Sequence, residues 1–504
     1  LVVLISALLL GWTSIPNWRG YSLQNEEWSF SGTFYDATDY AVHVAMLRAG
    51  MQGDWAYSFR FTTEPHSPQY IRLFYIALGQ LNRILKFEPE RLYHAARWFL
   101  GIAALMALYR LLGRIFPSQR SRWIAFFLIA AGSGLGFLER MFGWGPGQIT
   151  PVDFWLIDAY MLFSLAIFPH FAFTLALMCA GITGYLDYLE KSDYRNLGIV
   201  VGTALLVQLV NPIAYVSVDV MLFALTILGW WKNLRILWRE AWALGFIALA
   251  QLPLLRYNFL LLNNDPLWSQ FTAQNLTLSP APVYYVWGFG LFWLFGLVGA
   301  ALAFKKRDPI PLAAFAWLLS AFIFAYVPWA IQRRFLLGIT IPFGILSAYA
   351  LEWISTRMNG MAGSVSRRVP ALILLVVSFM SMTSIVLSPA YAVYLGSHPA
   401  ASFYPHSLDP AFTWIAGNTQ PDDFILGAEN TGRLLAQKTG RRVYLGHAME
   451  TLHYSEKLEE VSAFYQGKLS ADWLSGLPIE WIVYGPFEQQ LASDFQPDPN
   501  LSLA

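Results

Sequence analysis

Between positions 1 and 389 the chain is a series of long apolar runs separated by short polar connectors. Read with a window of span length, these runs predict eleven membrane-crossing helices. They fall at about 1–16, 91–116, 122–142, 158–187, 196–211, 213–231, 240–262, 283–304, 309–330, 335–354 and 370–388. Leu1–Trp12 is shorter than a full crossing of about 20 residues and lacks a small-residue cleavage site, so it reads as the tail of a retained first helix rather than a signal peptide. The basic residues occupy alternate connectors: Arg114/Arg120/Arg122, Lys191/Arg195, Lys232/Arg235/Arg239, Lys305/Lys306/Arg307 and Arg357/Arg367/Arg368. Short Lys/Arg-rich loops stay in the cytoplasm, which places the N-terminus inside. The first loop (17–90), the segments Gly143–Asp153 and Asn263–Pro282, and everything after Pro389 then face outward.

The pattern changes after position 390. Phe424–Leu426, Arg442–Leu445 and Trp481–Tyr484 are short strand-type runs, and helical stretches such as Arg433–Lys438 and Lys457–Tyr465 lie between them. That alternation predicts a small α/β domain with a parallel layer over 390–504, following a transmembrane domain over 1–389. It can dock partner subunits or acceptors, or simply cap the outer face. No repeat, low-complexity tract or long linker is present.

Composition agrees with the bilayer reading: of 504 residues 56% are hydrophobic and 13% charged, with mean hydropathy +0.44. A net charge of +1 gives no footprint for nucleic acid. The single cysteine, Cys179, lies within an apolar run and excludes both an internal disulfide and a thiolate metal cluster. Walker, Gly-x-Ser-x-Gly and His-Glu-x-x-His motifs are missing, and with them the residues of nucleotide hydrolysis, serine hydrolysis and zinc proteolysis.

The chemistry-bearing residues concentrate in the first outer loop. If Asp36–Arg48 is helical, Asp36, Asp39/Tyr40 and His43 share one face. Two carboxylates and an imidazole can supply a general base or hold a divalent cation; the bland alternative is an amphipathic helix lying on the bilayer. Farther along, Gln332-Arg333-Arg334 sits at an outward junction against the usual inward bias of arginine. These are candidates to grip a phosphate or to anchor at lipid headgroups, and Arg256 is a weaker second cation. Asp153 and Asp158 enter the fourth span from outside, and His170 lies deeper in it, where ionisable groups mark a cavity or a hydrogen-bonded packing site. Asp153 also reads as a helix cap. Asp219, with Gln208 and Asn211, reads first as an interhelical hydrogen-bonding group.

The series Asp36, Tyr40-Ala41, Met46-Leu47, Gly53-Asp54-Trp55 and Glu64-Pro65-His66-Ser67-Pro68 resembles the first periplasmic loop of the C-type (GT-C) glycosyltransferases. These are polytopic enzymes that use polyprenyl-phosphate sugars, and the pattern is nearest to lipid A aminoarabinose transferase and the protein O-mannosyltransferases. Ala37 stands where the family often has a second acid, and His66 where the aminoarabinose group has Lys. The resemblance implies a GT-C-like all-α polytopic fold in the plasma (inner) membrane, with Asp36 as the catalytic carboxylate. On the reading of the residues themselves, Asp39, His43 and His66 are expected to shape the site or hold a cation, and Arg333 and Arg334 to grip the donor phosphate. The expected partners are a polyprenyl-phosphate sugar and membrane lipids. A noncatalytic scaffold of the same fold is the rival reading, and a transporter the third.

Overall fold

The computed structural model describes residues 1–359, 364–469, 471–496 and 501–502. The Arg367 side chain of the last basic connector lies outside what it describes. The chain divides into two compact units, one made of Leu1–Pro16, His94–Phe259 and Leu276–Tyr391, the other of Asn17–Tyr93, Leu260–Asn275 and Ala392–Ala504.

The first unit is helical. Pro89–Ile115, Pro169–Lys191, Ala214–Asn233, Trp238–Asn264 and Gln332–Met358 are long and apolar enough to cross a membrane; three bent helix pairs, each counted as one span, raise the number among the described residues to as many as eight. The other three expected spans coincide with Val2–Ser22, Tyr194–Val210 and Pro309–Phe324, which do not meet that requirement by length and composition. The run expected over 158–187 is not continuous. A 3-10 turn at Ile157–Ala159 and a short helix, Met161–Ile167, precede a fresh start at Pro169, because proline lacks the N–H that would carry a helix through and holds Phe168 extended.

Four of the basic connectors meet at one end of this unit. Arg114 pairs with Asp187 (2.9 Å) and with Glu190, and Arg239 bonds Ser192. Arg307 lies 5.0 Å from the centroid of the Trp231 ring. Connectors expected on one side of a membrane are therefore in contact through their own side chains.

The second unit is mixed. Strand β1 (Trp28–Phe30) pairs antiparallel with β2 (Phe403–Pro405), so the first loop and the C-terminal region are built together. Strands β3 (Phe424–Leu426), β4 (Arg442–Val443) and β5 (Trp481–Ile482) form a parallel sheet in the order β4-β3-β5. Its core is Leu426, Tyr444, Leu445, Val461, Phe464 and Tyr465, with Trp473 and Phe495 closing one side. The helix Ala37–Gln52 is buried along almost its whole length and crosses Phe74–Leu85 at backbone contact. A Cβ on Gly50 would sit 2.2 Å from the Ile76 carbonyl, and one on Gly79 would sit 2.1 Å from that of Leu47. Only glycine allows that approach. On another side Arg48 Nε donates to the Gln437 carbonyl (2.7 Å), holding the helix Glu429–Thr439 against Ala37–Gln52, and Glu90, which starts the next long helix, pairs with both Arg48 (3.6 Å) and Lys438 (3.2 Å).

Candidate functional site

Asp36 is not the first residue of its helix but the residue before it. Its backbone is left-handed (φ 49°, ψ 56°), a conformation uncommon outside glycine. The Asp39 N–H (3.3 Å) and the Thr38 hydroxyl (3.2 Å) both donate to Asp36 Oδ1. An acid at this cap answers the unpaired N–H groups of the first helical turn. Burial, reinforced by the neighbouring Asp39 charge, pushes the Asp36 carboxyl up to about 7. A left-handed acid with a pKa near neutrality is the kind of group that clusters at reacting sites.

The expected face of Asp36, Asp39 and His43 is not what forms. Since Asp36 turns out of the helix, the helical period does not extend to it. His43 is buried and stacks on Tyr75 at 4.2 Å, on the packed side shared with Tyr93. The imidazole beside Asp39 belongs instead to His447, whose Nε2 lies 3.2 Å from Asp39 Oδ1. The N–H groups of Met449 (3.0 Å) and Glu450 (3.1 Å) donate to His447 Nδ1, which must present a lone pair there and carry its proton on Nε2. Burial disfavours the imidazolium, while Asp39, Glu450 and Asp36 favour it and raise the pKa. A second proton on Nδ1 would nonetheless face two donors, so the contacts select the neutral ring donating to Asp39.

His66 is committed to the backbone: the Phe59 N–H donates to Nε2 (2.9 Å), and Nδ1 donates to the Glu64 carbonyl (2.8 Å). Burial lowers its pKa. Both ring nitrogens are therefore occupied in holding the 59–66 turn. Among the described residues no group of three His, Cys, Asp or Glu side chains is arranged to hold a metal ion, so the set Asp36, Asp39 and His43 does not form a cation site.

The helical unit carries the remaining candidates. Asp153 is buried, and its Oδ2 accepts the N–H groups of Gly134 and Gly136, both at 3.1 Å. Those groups belong to the 56° break between Gln119–Ala131 and Gly136–Phe142, where the helix cannot supply its own acceptors. Burial raises the Asp153 carboxyl to about 7. Its role is to cap that break. Asp158 is half-buried and His170 packs between Phe168 and Phe171. The Arg333 guanidinium lies 5.0 Å from the Trp155 ring centroid, its backbone N–H donates to the Thr277 carbonyl, and Arg334 follows it in the short helix Gln332–Leu336. Arg256 is exposed on Trp238–Asn264. Asp219 accepts from Gln251 (3.1 Å), which in turn bonds Gln208, linking three helices.

No family model matches the chain, and no curated protein does. Solved structures do match. The Archaeoglobus fulgidus oligosaccharyltransferase in its apo form aligns over 95% of this chain and 69% of its own, at 15% identity and TM-score 0.58. The archaeal oligosaccharyltransferase AglB from the same organism, in complex with an inhibitory peptide and a dolichol-phosphate, aligns over 95% and 68% at 16% identity and TM-score 0.55. ArnT from Cupriavidus metallidurans bound to undecaprenyl phosphate aligns over 94% and 90%, at 11% identity and TM-score 0.52. The fold is GT-C-like. This chain spans 64–69% of the length of the archaeal chains it matches.

Sequence reasoning missed His447 and the buried charged residues that lie beyond it. Glu450 is buried, and its two oxygens take Arg72 and the Tyr57 hydroxyl. Arg72, itself left-handed at φ 58°, stacks over Tyr57 (5.3 Å) and Phe271 (5.9 Å) with its side chain 30% exposed. It is a second guanidinium close enough to feel the Asp39 charge. Arg97, buried on Pro89–Ile115, was also overlooked; it is held by Ser14 (2.7 Å), Thr13 and the Leu165 carbonyl. The one available signal was an arginine in the middle of an apolar run.

Proposed function

We propose that this protein is a membrane glycosyltransferase that moves a sugar from a polyprenyl-phosphate donor to an acceptor on the extracytoplasmic face. The observation that carries the reading is Asp36: a left-handed, half-buried carboxylate with a pKa near neutrality, set on a GT-C-like fold. The lipid phosphates bound by two of the similar structures support the choice of donor.

In this mechanism the ionised Asp36 accepts the proton of the acceptor nucleophile, whose freed electron pair bonds to the anomeric carbon. The bond from that carbon to the phosphate oxygen breaks, and the polyprenyl phosphate departs with the electron pair. Guanidinium groups suit that leaving phosphate because they pair with its oxygens and stay charged. Arg333 and Arg334 are the proposed grip, and Arg72 is a further candidate. Asp158, His170 and Arg256 are carried as weaker donor contacts.

The sign of the pH dependence follows. Only ionised Asp36 accepts a proton, so transfer rises as pH increases through about 7 and then levels. Asp39→Asn removes the adjacent negative charge and moves the inflection to lower pH. Initial rates from a radiolabelled polyprenyl-phosphate sugar, measured in detergent across this range, check both statements. A flat profile would count against Asp36.

Orientation is tested separately by cysteine labelling in a Cys179→Ala background. A cysteine at Ser118 in a basic connector should be shielded in intact cells, and one at the exposed Ser475 should react. The opposite pattern would put the Asp36 loop in the cytoplasm.

A further inference from the structure

The turn His447–Thr451 lies 408 residues beyond Asp39 and still ends against it. It is anchored independently of that contact. The Thr451 N–H donates to the His447 carbonyl (2.8 Å), and the His447 N–H donates to Thr451 Oγ1 (3.3 Å). Gln274 Nε2 donates to the carbonyls of Met449 (2.8 Å) and Thr451 (3.0 Å). The Leu452 N–H donates to Thr62 Oγ1 (3.1 Å), and Phe61 packs against the imidazole with ring centroids 5.8 Å apart. The ring is 4% exposed and has no rotational freedom left: one nitrogen is fixed by the turn and the other is aimed at Asp39.

We infer that His447 is a positioning residue for the transfer reaction, transmitting the rigidity of the 447–451 turn through the Asp39 carboxylate to Asp36. Asp39 touches Asp36 in two ways. Its N–H caps the Asp36 carboxylate, and its charge is the neighbouring acid that helps hold Asp36 near neutrality as a proton acceptor. A donor from His447 fixes where that charge sits. The same logic governs imidazoles that orient a reacting group without touching the substrate, where the second nitrogen sets the tautomer and so the direction of the first. This inference rests on the transferase reading of Asp36.

Two substitutions separate the role from a merely structural one. Asparagine at 447 places Oδ1 about where Nδ1 is and accepts the two turn N–H groups, as asparagine does in turns generally, but it is too short to reach Asp39. Glutamine reaches Asp39 with an N–H but cannot serve the turn. His447→Asn is therefore expected to keep the wild-type unfolding temperature and to lose about 10²-fold in kcat with KM for the donor little changed, the scale of a misplaced reacting group. His447→Gln is expected to unfold at lower temperature and, per folded molecule, to recover part of the transfer. Combined with Asp39→Asn, His447→Asn should cost nothing further, since its route runs through Asp39. Wild-type transfer by His447→Asn, or additive losses in the double variant, would overturn the positioning role while leaving the transferase reading intact. No transfer by folded wild type from any polyprenyl-phosphate sugar would overturn that reading and the positioning role with it.

Discussion

Asp36→Asn is expected to fold and assemble as wild type does and to lose about 10²–10⁴-fold in sugar transfer, the range typical for removal of a general base. The geometry makes this substitution unusually clean. Asparagine is the other residue that accepts left-handed backbone readily, so φ 49° imposes no new strain. Its amide oxygen can still receive the Asp39 N–H and the Thr38 hydroxyl, so the cap on Ala37–Gln52 survives. Loss of the charge also relieves repulsion from Asp39. Stability therefore stays level or rises while chemistry is lost, and the two are read separately by thermal unfolding and by transfer at matched expression. Equal transfer by wild type and Asp36→Asn would remove Asp36 from the mechanism; a well-folded wild type that transfers from no such donor would favour a scaffold of the same fold.

The second large effect is on stability. Arg72→Met keeps the length and the contact with Tyr57 and Phe271 but takes the guanidinium from Glu450, 3% exposed, and leaves it the Tyr57 hydroxyl. An acid stranded in that setting costs several kcal/mol; about 3 kcal/mol is expected, the low end for breaking a buried pair, because the guanidinium side of this pair is partly in water. Adding Glu450→Gln replaces the stranded charge with a neutral group that can still bond Tyr57, and should restore much of the loss. Equilibrium unfolding of the two single variants and the double one measures the coupling. If Arg72→Met unfolds as wild type does, the Arg72–Glu450 pair is not holding the Tyr57–Phe271 cluster together.

The helices were largely legible in the hydropathy pattern. In a bilayer every backbone polar group must be satisfied within its own segment, which ties secondary structure to local composition. Ten of the eleven apolar runs accordingly coincide with a helix or a bent pair, the run over 158–187 being broken at Phe168; among the described residues length and composition support up to eight spans where eleven were expected. The strand runs at 424, 442 and 481 coincide with β3, β4 and β5 for a related local reason: short β-prone stretches bounded by turn residues. Breaks such as that at Gly132–Leu135 were not visible, because Asp153, which supplies the missing acceptor, approaches from another segment.

By itself, then, the sequence determined the helical membrane class and the parallel strand runs, each through residues near one another along the chain, and it singled out Asp36 as the candidate acid. Tertiary structure alone decided which side chains lie next to Asp36 and Asp39. Helical spacing placed His43 with Asp36 and Asp39, but the left-handed cap turns Asp36 off that register and packing against Tyr75 draws His43 away. The imidazole that reaches Asp39 is His447, and Arg72, held by Glu450, is close enough to feel the Asp39 charge. No local period links positions 39, 72, 447 and 450; they meet because β1 pairs with β2 and Glu429–Thr439 packs on Ala37–Gln52, long-range contacts set by burial and backbone pairing rather than by spacing.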